Sequence, residues 1–183
     1  MTFLDLSSNE LCGLNKRGQG TYDATGIKAV ADALSVSSSM KKLIIFKNYL
    51  GDEGIGIITA AVEGKEISLC GAEPGQTDLD LSKQGLGPDD AKIIAWELTT
   101  GFVSSSMTSL NMASNNLGGK VESNWIKGKS WAEGEEVEYE GFTWTCTRVH
   151  SDGDHKGLTR YDMSGIKALA EALYVNSSLN SLK

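Results

Sequence analysis

Ser109-Leu-Asn-Met-Ala-Ser-Asn-Asn-Leu-Gly-Gly119 is the stretch whose reading decides the fold. Its apolar residues Leu110, Met112 and Leu117 frame Asn115 in the pattern LxLxxNxLG. Two apolar residues two apart suit a short strand with one buried face, because strand side chains alternate sides. An asparagine three places after the second suits a sharp turn, where its side chain bonds backbone groups that the strand leaves unpaired. Three near-copies precede it: Leu4, Leu6, Asn9 and Leu11; Leu43, Ile45, Asn48 and Leu50; and Leu79, Leu81, Gln84 and Leu86, with glutamine in the turn. Ile67-Ser-Leu-Cys70 is also strand-like, but Gly71 to Gly75, containing Pro74, reads as a loop where a helix would follow.

A helical pattern follows each full strand unit. Asp23 to Leu34 places Ile27, Val30, Ala31 and Leu34 on one face at i, i+3, i+4, i+7, and Gly54 to Val62 does the same with Ile55, Ile58 and Val62. Pro88 to Leu98 opens with proline and two acids, which suit the positive end of a helix, and buries Ala91, Ile94, Ala95 and Leu98. The last, Gly165 to Leu173, matches Gly26 to Leu34 at seven of nine positions, 139 residues away. Ser37 to Leu43 and Asn176 to Leu182 are similar too, so duplication explains both ends of the chain.

A strand, a turn and a helix in roughly 28 residues, stacked side by side, form a right-handed array with strands inside a curve and helices outside. The pattern LxxLxLxxNxLG followed by Gly-x-x-Ala-x-Ala-x-Ala-Leu resembles the ribonuclease-inhibitor-type leucine-rich repeat, over about 1–119 and 162–183. Phrases such as Asn9-Glu-Leu-Cys-Gly-Leu14 and Gly20-Thr-Tyr-Asp-Ala-Thr-Gly-Ile27 are closest to the repeat proteins of algae and other protists. The resemblance implies an α/β leucine-rich-repeat solenoid with parallel strands on the concave face, helices on the convex face and a small β-rich insert. It specifies a fold much more than an activity.

Two segments interrupt the pattern. Residues 13–22 lengthen the first turn with glycine and basic residues. Residues 120–161 hold Trp125, Trp131 and Trp144, three of the four tryptophans, with Val137, Tyr139, Phe142, Trp144 and Cys146 alternating around Glu140-Gly141. That is a hairpin signature, with a third strand expected near Arg148-Val149 and a solvated loop over Ser151 to Gly157. The expected divisions are therefore 1–119, 120–161 and 162–183.

The formal charge of −7 and pI near 4.9 argue against duplex nucleic acid or an anionic membrane as main partner. No run is long enough for a membrane span, and no secretory signal is visible. Cys12, Cys70 and Cys146 are too few and too scattered for a disulfide framework. They read as small buried side chains in a reducing, intracellular compartment, either cytoplasm or an organelle reached by a removed targeting segment.

Catalytic and cofactor signatures are absent from the sequence. Cys146, His150 and His155 lack a fourth metal ligand, and Asp152-Gly-Asp154 lacks the further acids of a calcium loop. Gly18-Gln-Gly20 and Gly51 to Gly56 are glycine-rich without the lysine of a phosphate loop. No nucleophile–base pair stands out, so no catalytic residue, cofactor or metal is expected.

Alternation instead points to a surface. The side chains directed away from the core are Asp5 and Ser7, Ile44 and Phe46, Asp80 and Ser82, and Asn111 and Ala113. Ile44 and Phe46 are the odd pair. They mark an interface, a site covered by the chain's own insert, or tolerated exposure. Trp125, Trp131 and Trp144 either pack an insert poor in aliphatics or serve a partner. Both ends of the array look uncapped, which suggests a neighbouring chain or a longer parent protein. The expected function is a non-catalytic protein–protein interaction module, a scaffold or accessory subunit. The alternatives are an activator of a small GTPase, as in one subgroup of this repeat type, and a metal- or small-ligand-binding insert.

Overall fold

A computed structural model describes residues 1–15, 19–100, 105–124, 136–139, 142–146 and 156–182, with backbone alone for 120–161. Two compact units result: Met1–Leu117 with Ser164–Lys183, and Gly118–Met163.

The first unit is mixed α/β, with four helices and short parallel strands in two small sheets. β1 (Phe3–Asp5) pairs with β2 (Lys42–Ile44), Leu4 opposite Leu43. β3 (Asp78–Asp80) pairs with β4 (Ser109–Asn111), which pairs in turn with a terminal strand over Ser181–Leu182. Helices α1 (Thr25–Val36), α2 (Gly51–Val62) and α3 (Pro88–Thr99) follow β1, β2 and β3, and α4 (Ser164–Val175) precedes the terminal strand. Each lies within a few residues of its sequence pattern. Their apolar stripes supply much of the core, including Ile27, Leu34, Ile58, Val62, Ile94, Leu98 and Leu169.

Three-residue strands leave many backbone groups to be paired beyond their ends. Parallel bonding therefore continues into the turns: Leu6 N and Ser8 N donate to Ile44 O and Phe46 O, as Leu81 N and Lys83 N donate to Asn111 O and Ala113 O. The turn asparagines close what remains. Asn48 is almost fully buried; its Nδ2 donates to Leu6 O and Ile45 O at 2.8 Å, and its Oδ1 accepts Asn9 N at 2.8 Å and Leu11 N at 3.4 Å. Asn115 repeats the set one sheet away, with Nδ2 on Leu81 O and Met112 O and Oδ1 accepting Gln84 N and Leu86 N. The residue before each turn amide takes the same left-handed backbone, φ 61° at Ser8, 60° at Lys47, 57° at Lys83 and 62° at Ser114.

Between the sheets the 67–70 segment lies along β2, with Ser68 N donating to Lys41 O and Leu43 N to Ser68 O. There the junction is made by acids of α3. Asp90 accepts Lys47 N and its own Gly87 N, Asp89 accepts Gly51 N at the start of α2, and Glu97 Oε1 accepts Leu69 N. Asp89 and Asp90, expected to serve the positive end of their own helix, divide their oxygens: one of each accepts from the preceding segment, while the other Asp90 oxygen takes Gly87 N and the other Asp89 oxygen lies 3.7 Å from Lys92 Nζ.

The second unit contains a four-stranded antiparallel sheet. In chain order its strands are β5 (Lys120–Asn124), β6 (Glu136–Tyr139), β7 (Phe142–Cys146) and β8 (Lys156–Tyr161), hydrogen-bonded in the order β5-β8-β7-β6. The terminal strand of the first unit is accordingly β9. The expected hairpin is present, Tyr139 opposite Phe142. Arg148-Val149 lies outside the described residues, as do 151–155 of the expected solvated loop. Lys156 and Gly157, read as the end of that loop, begin β8 instead, because β5 offers them an antiparallel partner.

Truncating the buried Asn48 takes from Ile45 O and Asn9 N the side chain that bonds them and from Leu6 O one of its two amide donors. Asn48→Ala should therefore cost about 3 kcal/mol or more in urea unfolding, against about 1 kcal/mol for Asn9→Ala, whose amide bonds only two exposed turn carbonyls. Equal losses at the two positions would show that the bridge between turns contributes nothing beyond a local turn.

Candidate interaction surface

Strand length decides where the predicted surface residues go. In β1, β3 and β4 the final residue is polar and turns back on the chain: Asp5 Oδ1 accepts Ser7 N at 2.8 Å, Asp80 Oδ1 accepts Ser82 N at 2.8 Å, and Asn111 Oδ1 accepts Ala113 N at 3.1 Å. Asp80 stands opposite Asn111 in register. Asp5, Asp80 and Ala113 are exposed, and Ser7, Ser82 and Asn111 are half-buried. These six residues form similar polar edges on two sheets.

The two carboxyls are held below the usual range. At Asp5 the Ser7 hydroxyl contributes most, then the Ser7 backbone N–H, with the nearby Lys47 adding a smaller pull. At Asp80 the Ser82 N–H leads, followed by its hydroxyl and the Asn111 side chain. Hydrogen bonds to the charged form favour ionisation, so both remain anionic at neutral pH.

Ile44 and Phe46 depart from the expectation. Phe46, read as part of the open strand face, is 1% exposed and belongs to the core that includes Leu69, Cys70 and Ala72. β2 ends at Ile44, so the alternation that would turn Phe46 outward has stopped before reaching it. Ile44 is half-buried against Gly71: a Cβ built there would lie 2.9 Å from Ile44 Cγ1, and its φ of 82° also favours glycine. The cover over Ile44 thus comes from the helix-less 67–75 segment.

Trp125 and Trp131 lie outside the described residues. Trp144 stands on β7 opposite Val137 in register. His150 and His155 lie outside as well, and among the described residues no group of three His, Cys, Asp or Glu side chains could hold a metal ion. Cys12 and Cys70 are buried free thiols, as expected; burial raises both, and the nearby Glu97 helps bring Cys70 to about 12. A cleft of about 240 Å³ lies between Ser37, Met40, Lys65 and Glu66, below the size of ordinary small-molecule pockets. Lys65 in its wall already bonds the last carbonyls of α1, Leu34 O and Ser35 O.

Sequence reasoning missed two buried acids, Asp90 and Glu97. Their spacing held a signal: seven apart, they fall on the stripe that carries Ile94, where a polar residue needs an internal partner. Glu97 Oε1 receives the Leu69 N–H, while Oε2 is buried with no hydrogen-bond partner. Burial pushes this carboxyl up to about 7, against the downward pull of the Leu69 N–H. No helix among the described residues is long and apolar enough to cross a membrane. Comparison with protein-family models, with curated proteins and with solved structures finds no match.

Because the folded value of Glu97 lies above its ordinary 4.5, the folded protein keeps a proton that the unfolded chain has released between those values. Its contribution to stability is full below pH 4.5, falls as pH rises toward about 7, and is flat beyond. Urea unfolding from pH 5 to 7.5 should show a loss of roughly 2–3 kcal/mol that Glu97→Gln largely removes. An unchanged slope in that variant would assign the proton to another group.

Proposed function

We propose that this chain is a non-catalytic protein-interaction module of the leucine-rich-repeat solenoid type, acting as a scaffold or accessory subunit. The repeat reading is supported by the matched bonding of Asn48 and Asn115 and by the left-handed residue before each turn amide. Binding would use the polar strand edges Asp5, Ser7, Asp80, Ser82, Asn111 and Ala113, together with the tryptophan-bearing segment.

One observation carries the interaction reading. Asp5, Asp80 and Asn111 are each fixed by a hydrogen bond to their own backbone, yet stand at the accessible ends of parallel strands. Such side chains have already lost much of the rotamer freedom that a partner would otherwise have to remove, so a contact made there keeps more of its gross energy. Two fixed carboxylates favour a partner offering lysine, arginine or backbone N–H groups. Phe46 takes no part, and Ile44 contributes at most an apolar margin.

The test is cross-linking mass spectrometry in extract of the source cells, read from Lys42, Lys47, Lys127 and Lys129. Recurrent links to one protein are expected, falling at least about tenfold in Asp5→Lys/Asp80→Lys and unchanged in Glu63→Lys on the turn after α2. Links confined to the chain itself, or equal recovery by both variants, would remove the strand-edge reading. Stimulated GTP hydrolysis by a linked partner would replace the scaffold with the GTPase regulator.

A further inference from the structure

Residues 69–76 stand apart from the units around them. No helix follows Cys70; the chain reaches β3 through a short loop whose glycines Gly71 and Gly75 take left-handed backbone, φ 82° and 74°. Both ends of the loop are anchored in ladders. Ser68 N donates to Lys41 O and Ser68 O accepts Leu43 N, while Thr77 O accepts Thr108 N and Ser109 N. Between these anchors the loop touches β2 through an isolated bridge, Cys70 opposite Ile44. Side chains do the rest. Ser68 Oγ accepts Cys70 N at 3.3 Å and Ala72 N at 3.1 Å and lies 3.4 Å from the Cys70 thiol. Leu69, Cys70 and Ala72 are buried, whereas Glu73, Pro74 and Gly75 are exposed.

The tie from α3 to this loop is the Glu97 carboxyl. Its Oε1 accepts Leu69 N, and its Oε2 is buried without a hydrogen-bond partner. A buried carboxylate with one N–H donor and no cation is a poor place for a charge, so the neutral acid is favoured. From the loop the Ser68 hydroxyl and the Cys70 thiol face it, and burial keeps that thiol neutral. From α2 and α4, the helices packed on α3, no charged side chain among the described residues acts on it. Glu97 therefore holds its proton up to about pH 7 while the loop is in place, and returns to its ordinary 4.5 once the loop has left.

We propose that residues 69–76 form a flap held shut by the neutral Glu97 carboxyl, and that proton loss from Glu97 uncovers Cys70 while the rest of the first unit stays folded. The shut flap keeps a proton that the open one has released, so opening is favoured as pH rises. The open fraction grows several-fold with each pH unit between 4.5 and about 7 and levels off beyond. It stays small throughout, because Leu69, Cys70 and Ala72 leave the core when the flap moves. Opening breaks the Cys70 bridge and the bonds of Ser68 and Glu97, and leaves the ladders at Ser68 and Thr77 as hinges. Cys12, fully buried elsewhere in the unit, remains covered. The flap is independent of the strand-edge reading.

The test is labelling of the full chain with a methanethiosulfonate reagent from pH 5 to 8, each thiol being read by peptide mass spectrometry. Each rate is divided by that of the urea-unfolded chain at the same pH, which removes the titration of the thiol itself. The Cys70 ratio is expected to rise about 40-fold from pH 5 to pH 7 and about twofold more by pH 8. It should exceed the Cys12 ratio throughout and respond only weakly to urea below the unfolding transition. Glu97→Gln should make the Cys70 ratio independent of pH. Ser68→Ala, which removes the acceptor of Cys70 N and Ala72 N, should raise that ratio at every pH and keep its slope. Equal ratios at Cys12 and Cys70, both with the urea dependence of global unfolding, would overturn the flap. So would a Cys70 ratio that does not change with pH, or a slope that survives in Glu97→Gln.

Discussion

The first unit depends on a carboxamide that serves two turns at once. Asn48 gives its hydrogens to its own turn and to the preceding one, and its oxygen takes the amides of Asn9 and Leu11. Asparagine supplies two donors and an acceptor on one short planar group, which is what two adjacent turns of parallel strands leave over. Apolar packing brings strands together without fixing their register; the carboxamide fixes it, because a one-residue slip would leave buried backbone groups unpaired. Strands of only three residues are sufficient under that constraint.

Much of this was legible because asparagine, leucine and alanine recur at fixed steps. The helices were found through their apolar stripes, and the turns through Asn9, Asn48 and Asn115. Phe46 was misplaced because alternation holds only while the chain is a strand, and β2 stops two residues earlier. β5 and β8 escaped notice since Lys120–Asn124 and Lys156–Tyr161 find their partners across a long separation, through a ladder that imposes little local composition. The repeated left-handed residue was invisible for another reason: Ser8, Lys47, Lys83 and Ser114 share a conformation and no common side chain.

The candidate surface was legible in part. Asp5, Asp80 and Asn111 follow from strand alternation, but their fixation by Ser7, Ser82 and Ala113 depends on where each strand ends. Asp90 and Glu97 illustrate the harder case. An acid on an apolar stripe can be a defect, a catalytic group or a structural tie, and the choice rests on backbone groups brought in from another part of the chain. Here those groups are Lys47 N and Leu69 N.

The junction made by α3 has a mechanical meaning. On either side of it, neighbouring turns are joined by a carboxamide, buried at Asn48 and half-buried at Asn115, that carries no charge at any ordinary pH. Across it, the ties are Asp89, Asp90 and Glu97, each a carboxyl group accepting a backbone N–H of the preceding segment. Parallel ladders yield only when several bonds break together, whereas ties of this kind can be released one at a time. The two sheets are thus joined by single side-chain-to-backbone bonds from one helix, and two of them are made by carboxyls, Asp90 and Glu97, whose charge burial disfavours.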